Sequence, residues 1–472
     1  MLTLADVLEA LTGIRPDGAN QVITEAVIDS RQVIPGSMFV ALTGERVDGH
    51  DYVEAAFQKG ALLCLVQHPA SERFAHLDLR GGFDPQATRP ALPFCLLVND
   101  SLKALQQVAW FWRRKLDLRV IGITGSVGKS TTKELVAEVL EQRYRTLKNP
   151  GNLNNEIGLP VAVLGLSEGH QAAVLEMGFY VPGEIAYLCD LALPQVGVIT
   201  NVGTVHAERA GSQEAIARGK AELVEALPPA PQGVAILNYD DPWVREMAGK
   251  TRARVFFYGL DPHADLWADN MEGLGLDGIR FRLHYRNEIL HLRVPLIGRH
   301  SVHTVLRAAA VGLVEELTWE EIINGLRSGH TQLRLIAVRT ARGALILDDT
   351  YNASPESTLA ALNLLDELEG RKVAVLGDML ELGPYEVRGH QMVGVRAAEV
   401  VDELVTVGEL GLIIAESAGL AGLRAGSIHR LDSTQQAVEY LSPRLDTEDV
   451  VLVKGSRGMR MDRIVAALEH RQ

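Results

Sequence analysis

Residues 121–133 read IGITGSVGKSTTK, and the fold turns on this stretch. A largely apolar run, Leu118 to Ile123, leads into Gly122, Gly125 and Gly128, after which come Lys129, Ser130, Thr131 and Thr132. Leu135, Val136, Val139 and Leu140 then recur at helical spacing on one face. Strand, glycine turn and helix form the context of a phosphate-binding loop. Glycines let backbone N–H groups close on phosphates, and a helix N-terminus adds partial positive charge. Thr124, Gly125, Ser126, Val127, Gly128, Lys129, Ser130 and Thr131 are therefore the expected triphosphate contacts. Lys129 neutralises phosphate charge and the Ser130 hydroxyl is a Mg²⁺ ligand. The spacing departs from G-x-x-x-x-G-K-[ST], because residue 123 is Ile and the first glycine comes one residue early. An ordinary glycine turn is the competing reading, and the Gly-Lys-Ser-Thr ending argues against it.

The chain around this loop has 472 residues, enough for roughly three domains of ordinary size. Its 60 acidic and 46 basic side chains give a net charge of −14. That balance excludes nucleic acid or an anionic membrane as the main partner, so an anionic nucleotide must be met by local positive groups. Cys64, Cys95 and Cys189 lie apart in apolar stretches and read as buried thiols, not metal ligands. The N-terminus has no basic start and does not read as a signal peptide. No apolar run is long enough to span a bilayer. A cytoplasmic protein is expected.

Outward from the loop, the chain divides into residues 1–112, 113–330 and 331–472. The first part opens with a helix carrying Leu4, Val7, Leu8 and Leu11, stopped at Gly13. Strands are expected at 22–28, 38–42 and 62–66, and a long loop at 68–90. Residues 102–115 read as a connecting helix whose Trp110 and Trp112 pack into a core. In the second part, strands at 119–124, 172–176, 196–201, 234–238 and 255–258 alternate with helices, the signature of a parallel sheet. An antiparallel hairpin region is expected at 263–295. The third part repeats the α/β pattern, with strands at 344–347, 373–376, 403–407 and 449–453. Ligands of such sheets bind beyond the carboxyl ends of the strands.

That rule selects the candidate residues. Glu176 ends a strand and is placed to hold Mg²⁺. His206, beyond the next strand, can face a metal or a phosphate. Asn152, Asn154 and Asn155 lie in a polar loop before a helix and serve either a turn or a ligand. Lys220 sits in EAIARGKAELVEAL, where the residues alone suggest a solvated lysine with helix-spaced acids. Asp349 is suited to a ribose, Asp378 and Glu381 share a loop, and Lys454, Ser456 and Arg457 form a basic cluster suited to a carboxylate.

Taken together, these segments resemble the Mur ligases, the ATP-dependent amide ligases of peptidoglycan precursor synthesis. The resemblance runs along nearly the whole chain: DSRQVIPGSMFVALTGERVDGH, GITGSVGKSTTKE, GNLNNEIGLP, LEMG, TNVGTVHAE, GRH, DDTYNASPES, LGDMLELG and VKGSRGMRM. LGDMLELG and the TYN stretch resemble the branch that joins D-alanyl-D-alanine to UDP-N-acetylmuramoyl-tripeptide. The resemblance implies three α/β domains. The first, mixed α/β, binds the UDP portion of the substrate and draws in Ser30, Arg31 and Asp48. The central, phosphate-loop domain holds ATP. The third, Rossmann-like, closes over ATP with Arg334 and Asp349 and helps bind the dipeptide, with Asn352, Lys454 and Arg457 among the substrate contacts. Glu176, His206 and Ser130 become metal ligands, and Lys220 becomes a carbamate ligand of Mg²⁺, against the solvated reading. Lys129, Lys220, His206 and Asn155 are the candidate catalytic residues. The implied reaction proceeds through an acyl phosphate, in a monomer with mobile domains.

Three departures stand out. The family's HN-x-x-N is here His300-Ser301-Val302-His303-Thr304, without either asparagine of the adenine site. The family's NANP is Asn352-Ala353-Ser354-Pro355, and Asp462 stands where Glu is more usual. Two alternatives remain at this point: a related amide ligase of the folylpolyglutamate or stem-peptide kind, and a nucleotide-binding regulatory protein without catalysis.

Overall fold

The computed structural model describes residues 1–44, 47–71, 73–84, 89–328 and 336–469. Among the described residues it contains three α/β sheets of five, nine and six strands.

The opening helix, Leu4–Thr12, is fixed at both ends by local chemistry. Thr3 and Asp6 satisfy each other's backbone N–H groups in a capping box, and Gly13 at φ 75° ends the helix in the left-handed region. The first sheet is parallel throughout and runs Ala26–Val27, Met38–Val40, Leu63–Val66, Phe94–Leu97, His76–Asp78. Two expectations fail here. The strand at 22–28 shrinks to Ala26–Val27, since Val22 makes only an isolated bridge to Thr3. The loop at 68–90 contains the His76–Asp78 strand, whose half-buried edge position gives it little hydrophobic signal.

Helix Ser101–Lys115 bolts this sheet to the central one, so a boundary at residue 112 falls inside it. Gln107 Nε2 donates to the Ala10 carbonyl on one side, and Trp112 Nε1 donates to the Leu166 carbonyl on the other. Arg113 is buried, satisfied by the Ala192 and Leu116 carbonyls. Trp110, expected in a core, is exposed and donates to Asp190. Asp6 receives both Arg15 and Lys115, which ties the opening helix to the end of this one.

The central sheet is parallel from Thr146–Lys148 through Ala172–Glu176, Arg119–Thr124, Val196–Ile199, Val234–Asn238 and Arg254–Gly259 to Leu266–Gly273. The hairpin region adds Ile279–Tyr285 and Glu288–Val294 antiparallel at that edge. Strand 119–124 lies between 172–176 and 196–199, where successive connections diverge to opposite sides, the position at which such sheets open a crevice. The third sheet runs Ile336–Arg339, Leu345–Asp349, Asp449–Lys454, Arg371–Gly377, Glu403–Val407, Ile428–Leu431, antiparallel only at its first pair. Cys64, Cys95 and Cys189 are free and buried, as expected. Among the described residues, no helix is long and apolar enough to cross a membrane.

Candidate active site

Register places the first groups. Ile123 pairs with Glu176 and Thr124 with Ile199, so the loop at 125–128, the Glu176 carboxylate and the segment after Ile199 all emerge at one sheet edge. Gly122 lies within the strand, not the loop, where a Cβ would stand 3.0 Å from Leu223. Gly125, at φ 148°, leaves no room at all: a Cβ would lie 1.7 Å from Thr200 Oγ1. Gly128 at φ 85° turns the chain into helix Lys129–Leu140.

The loop is held from outside. Asn201 accepts from the Ser126 and Val127 amides, through its carbonyl and side-chain oxygens at 2.9 Å, and its Nδ2 returns a bond to the Val127 carbonyl. Ser126 Oγ accepts from the Gly203 amide. Lys129 Nζ folds back on the Gly125 and Ser126 carbonyls. Ser130 Oγ donates to Glu176 Oε2 at 2.6 Å, and Asn154 Nδ2 donates to Glu176 Oε1 at 2.9 Å. Glu176 itself is 1 % exposed. Asn149 brackets that strand end, accepting the Glu176 amide and donating to its carbonyl. Asn155 spends its oxygen on the Ile157 and Gly158 amides at the start of helix Gly158–Leu164.

Lys220 contradicts the solvated reading. On helix Gln213–Glu225 it is 1 % exposed, with its ammonium 4.9 Å from the centroid of the Phe179 ring. Gly219 makes this possible, since a Cβ there would lie 2.0 Å from that ring. Burial, then the nearby Lys129 charge, pushes the Lys220 pKa well down. Burial, and after it the Lys129 charge, likewise lower His206 to about 3. Its 2.9 Å contact with Glu381 is therefore a hydrogen bond of a neutral imidazole, not an ion pair.

Glu381 belongs to the third domain, which meets the central one at this edge. Glu356 accepts from the amide and hydroxyl of Thr204. Register sets Asp349 opposite Lys454, and they pair at 2.6 Å, with Lys454 also donating to the Asn352 carbonyl. The basic cluster expected at 454–457 is thus partly neutralised from within. Two cavities meet here. One of 410 Å³ is lined by Asn155, Phe179 and Tyr187, and one of 400 Å³ by Glu176, His300, Asp349 and Lys454. Lys129, Asn154, Tyr180 and His206 line both. Asn352 and Arg457 line the second. Arg334 lies outside the described residues.

Among the described residues, Ser30, Arg31 and Asp48 line neither of these cavities. Arg31 pairs with Asp29 through Nε and Nη2 while its side chain stays exposed, and Asp48 accepts from His50. The Asp48, His50 and His68 side chains cluster, but both His50 nitrogens are taken, by Asp48 and by the Gln67 amide.

The sequence reading missed Asn149, Asn201 and Glu356. A polar residue just past the carboxyl end of a strand was a usable signal for Asn201. Nothing local marks Glu356 as an interdomain contact.

Comparison with known proteins decides the lineage. The Mur ligase family catalytic domain matches residues 22–79, the Mur ligase middle domain 123–312, and the Mur ligase glutamate ligase domain 333–457. UDP-N-acetylmuramoyl-tripeptide–D-alanyl-D-alanine ligase of Bacillus subtilis is 34 % identical, over 99 % of this chain and 98 % of that protein. The chain belongs to the Mur ligase family. The Escherichia coli ligase of the same name is 33 % identical over 99 % of this Mur ligase and 98 % of its own length. Among solved structures, MurF from Acinetobacter baumannii superposes with a TM-score of 0.82 at 31 % identity, covering 99 % of both chains. MurF from Thermotoga maritima, solved in complex with ADP, gives 0.75 at 27 % identity, covering 94 % of this Mur ligase and 96 % of that chain.

Proposed function

We propose that this Mur ligase joins D-alanyl-D-alanine to UDP-N-acetylmuramoyl-tripeptide, converting ATP to ADP and phosphate, in peptidoglycan precursor synthesis. The observation that carries the reading is the wall of Lys129, Asn154, Tyr180 and His206 shared by two cavities. A phosphoryl donor in one chamber and an acceptor carboxylate in the other meet at that wall. The tripeptide carboxylate attacks the γ-phosphate, giving an acyl phosphate. The dipeptide amine then attacks the acyl carbon, and phosphate leaves. Two anions must approach each other, so the chain's task is to neutralise and to position. Lys129 supplies charge at the meeting point, and the loop, clamped by Asn201 at Ser126 and Val127, presents its remaining amides without reorganising.

The donor set fits Mg²⁺. A hard cation prefers oxygen ligands, and the Ser130 hydroxyl and Glu176 carboxylate stand 2.6 Å apart at the loop. Mg²⁺ bound there supplies charge neutralisation between the phosphates. His206, neutral and with Nδ1 held by Glu381, keeps Nε2 for a ligand. Lys220, buried and flanked by a cation, favours the unprotonated amine, which is the form that adds CO₂. The resulting carbamate is an anionic oxygen donor, which an ammonium is not. Ser30, Arg31 and Asp48 hold the UDP end, and Asn352, Lys454 and Arg457 line the dipeptide side. A nucleotide-linked substrate supports a cytoplasmic location, and the reading is of a monomer.

The test is phosphate release with ATP, Mg²⁺ and UDP-tripeptide, with and without D-alanyl-D-alanine. Release that requires the dipeptide is expected. Equal release without it would refute the assignment.

A further inference from the structure

Arg307 lies on helix Ser301–Val314 and is 4 % exposed. Its Nη2 donates to Thr304 Oγ1 at 2.7 Å, its Nη1 reaches the buried Tyr258 hydroxyl at 3.4 Å, and its Nε has no partner. Among the described residues no carboxylate pairs with it. The acids at the nearby strand end are engaged elsewhere. Asp240 takes His303 and the Leu260 and Asp261 amides, and Asp241 takes the Val202, Trp243 and Val244 amides. The guanidinium packs against the phosphate loop: a Cβ at Gly128 would stand 3.1 Å from Nη2 and 3.9 Å from Cζ.

An arginine cannot shed its proton to escape burial. A buried cation without an anion is costly, and breaking such a pair elsewhere is strongly destabilising. In a chain of net charge −14, a buried guanidinium without a carboxylate partner, packed against the phosphate loop, indicates where its counter-ion arrives. We propose that Arg307 is a positioning residue for the nucleotide, a fixed counter-charge to its phosphates acting through Gly128 from the far side of the loop. This rests on reading the cleft as the nucleotide site. The charge is pre-placed, so it costs no reorganisation when the ligand binds. Removing it weakens nucleotide binding while relieving the ligand-free protein of an unpaired charge, whereas a merely structural arginine would stabilise both states.

The test compares wild type, Arg307→Met and Arg307→Lys by calorimetric titration with Mg-ADP, by thermal unfolding without ligand, and by steady-state kinetics. Arg307→Met is expected to raise the Kd for ADP and the KM for ATP by about tenfold, the order set by one unit charge a few ångströms beyond contact. The dipeptide KM stays within about twofold, and the ligand-free protein unfolds at or above the wild-type temperature. Arg307→Lys, keeping the charge, stays within about threefold of wild type in ADP affinity. Unchanged ADP affinity in Arg307→Met overturns the proposal. So does a joint loss in both variants accompanied by a lower ligand-free Tm, which marks a packing role. Wild type failing to bind Mg-ADP overturns the nucleotide reading itself, a separate result.

Discussion

The two ends of the 400 Å³ cleft are built on different principles. At the phosphate end the groups are held by partners from other segments of the chain. Asn201 fixes the Ser126 and Val127 amides, Asn149 fixes both backbone atoms of Glu176, and Asn154 and Ser130 fix its carboxylate. At the base end, side chains serve their own surroundings. Ser301 Oγ donates to the Ile297 carbonyl, His303 pairs with Asp240, and Thr304 accepts from Arg307. On the proposed reading, phosphate recognition rests on backbone and charge, and base recognition on side chains that depart here from the family's pattern.

The harshest way to break that comparison is at the phosphate end. Lys220→Ala is expected to lower kcat by about a thousandfold or more, on the scale of removing a main electrostatic stabiliser. Short carboxylic acids such as acetate should restore part of it by entering the vacated space as an oxygen ligand. Turnover unaffected by the substitution would end the carbamate role. Next is Asn201→Ala, which keeps the backbone bond to Ser126 but releases the Val127 amide and carbonyl from the side-chain amide. A rise in the KM for ATP of about thirtyfold is expected, from two part-buried hydrogen bonds worth roughly 1 kcal/mol each, with the dipeptide KM little altered. A dipeptide KM that rises equally would mean that Asn201 organises the whole edge.

How much of this was legible follows the same division. The loop from Thr124 to Thr131, the Glu176 position and the parallel order around them were readable, because strand, glycine turn and helix are local signals. Lys220 was not, from residues alone. Its helix carries acids at pairing distance, and only the Phe179 ring over Gly219 shows the amine facing inward. The short edge strands His76–Asp78, Thr146–Lys148 and Ile428–Leu431 escaped because none of them contains a fully buried residue. Glu356 escaped because its contact with Thr204 crosses domains, 152 residues away along the chain.

A third prediction lies outside the cleft and separates losses of fold from losses of site. Burial raises the Asp6 pKa, but hydrogen bonds from Thr3, Arg15 and Lys115 outweigh it and hold the carboxyl at about 2. The unfolded chain therefore takes up the proton first as pH falls. Asp6 adds about 2 kcal/mol of stability, fully present above about pH 4 and lost as pH approaches 2. In denaturant unfolding, Asp6→Asn should be less stable than wild type at pH 6, with the gap closing toward pH 3. A gap independent of pH would show that the carboxylate's charge is not what matters, and would leave acid inactivation to the cleft.

The smallest effect tests the base end directly. In Thr304→Asn an amide returns to a position where the family's pattern has one, yet Arg307 is already placed to donate to whatever oxygen stands there. The Asn oxygen satisfies that donor, as the threonine hydroxyl does now, leaving only N–H groups toward the cleft. An amide recognises adenine by accepting from the exocyclic amine while donating to the ring nitrogen, and with its oxygen taken it can do only half of this. The expected change in the ratio of kcat/KM for ATP over GTP is under about threefold, less than ~0.7 kcal/mol. A shift of tenfold or more would mean that residue 304 reads the base outright. The base end would then be as firmly specified as the phosphate end, and the contrast between them would fail.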